Sequence, residues 1–161
     1  MASLFQSKNV AQNGPVLTPE GANDVVAVRA EYSLAAALVI NDLIEMVVLP
    51  ANCVPVDFIL DADDLDTGTP TITFDVDLLA GTPGDTVLAN RTIAGAVIFA
   101  ASTVAQAGGL VRPTLVTALR IAPDKALDRS IGILVKAAPA TGTTTGKIGL
   151  TMLYRPSING A

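Results

Sequence analysis

The sequence predicts an all-β fold: an antiparallel two-sheet sandwich of jelly-roll type over residues 25–161, preceded by an extended N-terminal arm over residues 1–24. Three observations carry this. In residues 71–79, Ile72, Phe74, Val76 and Leu78 alternate with Thr71, Thr73, Asp75 and Asp77. Successive strand side chains point to opposite faces, so the alternation predicts one buried and one wet face. Turn signals recur about every 10–15 residues and divide the chain into about eight short strands with no long helix, a count that suits a jelly roll. Pro50, Pro70, Pro123 and Pro156 fall at strand ends, where a missing N–H costs the ladder least.

The arm is polar, broken by Gly14, Pro15, Pro19 and Gly21, and follows neither the helical nor the strand period. Such a segment stays flexible until something holds it, and fully extended it reaches up to about 80 Å. Phe5, Val10, Val16 and Leu17 are its spaced apolar points, the candidate contacts with a partner or with a neighbouring subunit.

Residues 25–32 alternate as the first strand. Residues 33–40 are ambiguous, with Ala and Leu favouring helix and the short length favouring strand. Residues 42–49 and 54–60 read as strands separated by a turn at Ala51-Asn52, and the acidic break 61–66 leads into strand 71–79. Residues 80–86 are a Gly- and Pro-punctuated loop. Residues 93–99 read as a strand and 100–107 as a helical turn or two, ended by Gly108-Gly109. Residues 117–122 form a short strand closed by Pro123. Residues 130–137 and 147–155 form a last pair, joined by a small-residue loop suited to a hairpin.

Half of the 161 residues are hydrophobic, but only 16% are charged and 4% aromatic. An ordinary soluble domain is about 25% charged, so the excess apolar surface predicts a homo-oligomer. The net charge of −5 argues against nucleic acid, whose backbone demands clustered Lys and Arg. The charge is also split. Residues 1–85 hold 13 of the 15 acids with Lys8 and Arg29, a net of −11; residues 86–161 hold Asp124 and Asp128 with eight bases, a net of +6. This asymmetry pairs strands within one sandwich or pairs neighbouring subunits. No signal-peptide core occurs in residues 1–24, and the longest apolar run, 34–40, is far short of the roughly 20 residues of a membrane helix. Synthesis in a cytoplasm and no membrane partner are the expectations.

Catalytic chemistry has little to work with. There is no histidine, which removes Ser–His and Cys–His dyads, and no serine sits in Gly-x-Ser-x-Gly. Asp57, Asp61, Asp63, Asp64 and Asp66 are the best candidates for a hard cation, which wants several oxygens. The spacing fails as an EF-hand because the twelfth position from Asp61 is Ile72. The reading preferred is a strand-connecting turn whose carboxylates accept backbone N–H groups, with no metal; Asp61, Asp63, Asp64 and Asp66 are the alternative site. Asp75 and Asp77 stand about 7 Å apart on one strand face, a glycosidase-like separation, but outward acids on a half-wet strand are ordinary. Residues 142–147 (Gly-Thr-Thr-Thr-Gly-Lys) fall a residue short of a phosphate loop. Cys53 reads as a small buried hydrophobe, and no cofactor is expected.

The runs Asn41-Asp-Leu-Ile-Glu45, Leu49-Pro-Ala51, Ile59-Leu-Asp-Ala-Asp-Asp-Leu-Asp-Thr-Gly-Thr-Pro70, Phe99-Ala-Ala-Ser-Thr-Val-Ala-Gln-Ala-Gly-Gly109 and Asp128-Arg-Ser-Ile-Gly132 give the chain a resemblance to a family of small proteins encoded beside the major capsid protein in tailed phages. The resemblance covers some two thirds of the chain. It implies a head decoration, or cement, protein on the outer surface of the virion, a β-sandwich forming dimers or trimers that ties neighbouring capsid subunits together. The major capsid protein and the chain itself are then its partners, and no catalytic residue is implied. Another virion β-protein of the head–tail junction or tail is the alternative. A cytoplasmic ligand-binding module is a further one, though it needs stacking groups that the sequence hardly supplies.

Overall fold

The computed structural model describes residues 1–12, 16–19, 24–93 and 95–157. Nine strands lie among them: β1 (Leu4–Gln6), β2 (Val26–Ser33), β3 (Leu43–Leu49), β4 (Cys53–Ala62), β5 (Thr73–Leu79), β6 (Phe99–Ser102), β7 (Gly109–Val111), β8 (Arg129–Ala137) and β9 (Lys147–Pro156). They form a five-stranded sheet, β1-β3-β8-β5-β6, and a four-stranded sheet, β2-β9-β4-β7. The pairs β2–β9, β3–β8, β4–β7 and β5–β6 are antiparallel and nest from the outermost strands of the chain to the innermost. That nesting is the eight-stranded jelly roll.

The core lies between the sheets. Ile72, Phe74 and Val76 meet Ile131, Ile133 and Val135 from the five-stranded sheet, and Phe58, Leu60, Ile148, Leu150 and Met152 come from the other; all are fully buried. Each such side chain contributes about 1.5–3 kcal/mol by leaving water.

The departures from sequence expectation share one cause, contacts from distant segments. Residues 4–11 do not form a free arm. β1 runs parallel to β3 in the register Leu4↔Leu43, Phe5↔Ile44 and Gln6↔Glu45. A short helix, α1 (Lys8–Ala11), follows, capped by the Ser7 hydroxyl, which itself donates to the Met46 carbonyl. Residues 13–15 and 20–23 of the expected arm lie outside the described residues. Residues 34–40 form neither helix nor strand; Leu34 and Leu38 turn into the core, and Asp42 holds the Val39 N–H. In the 93–109 region the strand is Phe99–Ser102 and the helical turn is a 3-10 turn at Val104–Gln106.

Residues 117–122 are not a strand. Val116–Leu119 form a 3-10 turn, with Ala118 buried and the Thr117 hydroxyl donating to the Val97 carbonyl. The last two strands are not a hairpin either, since β8 and β9 lie in opposite sheets. Each is already paired on both edges, β8 with β3 and β5, β9 with β2 and β4. The expected wet face of β5 is dry, with Asp75 and Asp77 both buried. The neighbouring segment lies over them: the Ala101 N–H donates to Asp75, and Gly95 sits against the Asp77 carboxylate.

Candidate interaction surface

The acidic residues 61–66 do not converge. Asp61 forms a two-pronged ion pair with Arg29, laid across Gly149 of the intervening β9, where no Cβ stands in its way. Asp63 accepts from the Lys147 N–H and Asp64 from the Asp66 N–H. Asp66 is buried and accepts from the backbone N–H groups of Thr71, Ile72 and Thr141 at 2.6, 2.9 and 2.9 Å. Burial opposes its charge, but these donors, with Ala140, outweigh that and hold its pKa at about 2. Among the described residues no group of three or more His, Cys, Asp or Glu is placed to hold a metal. Asp66 instead ties the 66–72 turn to the β8–β9 loop.

A buried polar network that the sequence did not signal stands on the outer face of the five-stranded sheet. Glu45 of β3 receives Arg91 Nη2 at 2.5 Å, Gln6 Nε2 at 3.0 Å, the Gly84 N–H at 3.1 Å and the Ser130 hydroxyl. Arg91 also donates to the Thr82 carbonyl. The network joins β1, β3, β8 and loop 80–91. Its only trace in the sequence is an acid within an otherwise apolar strand.

The charge split is spent largely inside one sandwich. Of the five ion pairs among the described residues, four join an acid of residues 1–85 to a base of residues 86–161: Glu45–Arg91, Asp57–Arg112, Asp75–Lys136 and Glu31–Lys147. Nested pairing sets early strands beside late ones, so the two halves of the charge pattern meet within the subunit.

The four candidate contact residues divide. Val10 is buried, and Phe5 stacks on Tyr32 with ring centroids 5.4 Å apart; both are used by the chain's own fold. Val16 and Leu17 remain exposed. The Leu17 carbonyl is held by the Tyr154 hydroxyl, and burial pushes the Tyr154 phenol up to about 12.

Larger apolar exposure lies elsewhere. Leu110, Val116, Leu119 and Leu127 are 71, 62, 57 and 66% exposed. Three of them belong to the β7–β8 connection at one end of the sandwich. Beside it Val54, Pro55, Ile121 and Ala122 line an apolar groove of about 430 Å³, bordered by Arg120 and Arg155. The composition hinted at this exposure without locating it.

In the solved structure titled "Capsid of Ralstonia phage GP4", one chain is 44% identical to this one and superposes with a TM-score of 0.91, over 98% of this chain and 100% of that chain. A chain of the "Cyanophage Pam1 capsid asymmetric unit" is 22% identical, with a TM-score of 0.60 over 88% of this chain and 93% of that one, and shares the fold. No family model matches the chain, and no curated protein does.

Proposed function

Since the chain belongs to the family of phage capsid proteins represented in the capsid of Ralstonia phage GP4, and is a structural component of the virion, we propose that it is a head decoration, or cement, protein. It binds the outer capsid surface as a homo-oligomer and ties neighbouring major capsid subunits together. The observation that carries this reading is the self-contained jelly roll: the core closes within one chain, and residues 4–11 are folded onto their own sheet. A subunit complete in itself suits addition to a shell already built. Its buried carboxylates are engaged in holding loops together, which suits a protein that acts by shape rather than by catalysis. Each bridging contact adds interface that must break before a pressurised shell opens, and repetition by symmetry makes modest contacts effective.

The test compares particles assembled with and without this chain. Shells are expected to close without it but to release their contents at lower temperature or under lower osmotic shock. Adding the purified protein back restores tolerance, with density at many symmetry-related surface positions. Failure of shells to form without it, or density at a single vertex, overturns the cement role; the latter favours the head–tail reading.

A further inference from the structure

We infer that Asp77 and residues 95–97, which lie over it, form a pH-sensitive latch on the outer face of the five-stranded sheet. The latch is closed while the carboxyl is neutral and opens more readily once it is ionised. Asp77 is only 4% exposed, and none of the ion pairs among the described residues includes it. It accepts from backbone groups, the Leu78 N–H at 2.6 Å and the Val97 N–H. Gly95 lies close against it, since a Cβ there would stand 3.3 Å from Oδ2. The cover is tied down on both sides. Ile93 bridges to Leu79 and the Ala80 N–H donates to the Thr92 carbonyl on one side, and the Ile98 N–H donates to the Val76 carbonyl on the other.

The charged groups around Asp77 are committed elsewhere. On β5 itself, Asp75 takes the Ala101 N–H and faces Lys136 of β8 at 3.7 Å. The β8 position opposite Asp77 is Gly132, and the β3 position opposite Gly132 is Glu45, which is closed onto Arg91 of loop 80–91. Residues 95–98, β6 and the 3-10 turn Val116–Leu119 carry no ionisable side chain. A carboxylate buried without a counter-charge is costly, and that cost falls when water reaches it. Burial accordingly raises the Asp77 pKa above its ordinary 3.8, against the pull of the two N–H groups. The raised value belongs to the closed latch, so closure is at full strength below the ordinary value and weakens as pH rises through the raised one. The effect reaches the surface through Val97. Its carbonyl accepts the Thr117 hydroxyl at 2.7 Å, which ties the cover to the turn that presents Val116 and Leu119 to solvent.

Amide hydrogen exchange of the full-length protein, read residue by residue by NMR, tests the latch on the wild type and on Asp77→Asn between pH 3 and 7. The substitution is far from Val97 in the chain, so the ratio of the two rates cancels the chemical dependence of exchange on pH. At pH 7 the Val97 N–H is expected to exchange at least about threefold faster in the wild type, by local opening. The Arg120 N–H, bonded to the Thr117 carbonyl, is expected to follow it. Both ratios fall to about one as pH falls toward 3. A ratio near one at pH 7, or one that does not fall toward acid, overturns the latch. So does Val97 exchange that occurs only in step with Ile133 of the core, which means unfolding of the whole subunit. Thr117→Val is expected to keep the response at Val97 and lose it at Arg120; a response retained at Arg120 overturns the tie to the turn.

Discussion

Arg91 and Glu45 form a fully buried ion pair: Nη2 lies 2.5 Å from Oε1, and neither side chain has any exposure to solvent. It lies at the junction of β1, β3, β8 and loop 80–91, so loss of one partner strands the other charge in a dry site. Glu45→Gln or Arg91→Met is expected to cost about 3–5 kcal/mol each. The double variant is expected to cost clearly less than the sum, because it leaves no lone charge. Chemical denaturation of the four proteins measures the coupling.

Residues 4–11 of the N-terminal segment are held on the five-stranded sheet. Deleting residues 1–11 removes the β1 pairing, the Ser7 bond to Met46 and the burial of Val10. A loss of about 2–4 kcal/mol is expected, seen as a melting temperature lowered by several degrees. A melt equal to that of the intact protein counts against the docked arrangement.

Asp66 contributes stability with a definite pH sign. Its folded pKa of about 2 lies below the ordinary 3.8, so its contribution is present above about pH 4 and is lost as pH falls toward 2. Asp66→Asn is expected to lower the melting temperature at pH 7 and to narrow its gap to the wild type at pH 2. Calcium at micromolar levels is expected to leave the wild-type melt unchanged.

Asp77 has the opposite sign. Burial raises its pKa, against the N–H groups of Leu78 and Val97 that favour the charge. A carboxyl raised in the folded state costs stability as pH rises through that raised value. Asp77→Asn is therefore expected to melt at a higher temperature than the wild type at pH 7 and to lose that advantage below pH 4. Melts at the two pH values decide it.

The strands were legible where the pattern is local. β2, β3, β4, β5, β8 and β9 stand within a few residues of the alternating runs, with Pro50 just after β3 and Pro156 at the end of β9, whereas Pro123 closes no strand. The segments misread were those without a pattern of their own. Residues 4–6 carry no usable alternation and become a strand only because β3 offers an edge. Residues 117–122 are apolar enough for a strand, but Ala118 packs into the core from a 3-10 turn. The exposed apolar surface was legible only as composition, since the groove that joins Val54 and Pro55 to Ile121 and Ala122 is built from residues far apart in the chain.

By itself the sequence determined that this is a β-sandwich subunit without histidine-based chemistry, because side-chain alternation and turn residues act over a few neighbours. The tertiary structure alone decided which strands pair and which polar groups are dry. Glu45, Asp75 and Asp77 occupy the face of their strands turned away from the core, and the periodicity of a strand assigns such residues to water. They are buried because loop 80–91, the segment near residues 95–101 and the N-terminal strand cross that face. Solvent exposure is set by what lies over a side chain, and the nested pairing brings that cover from segments tens of residues away.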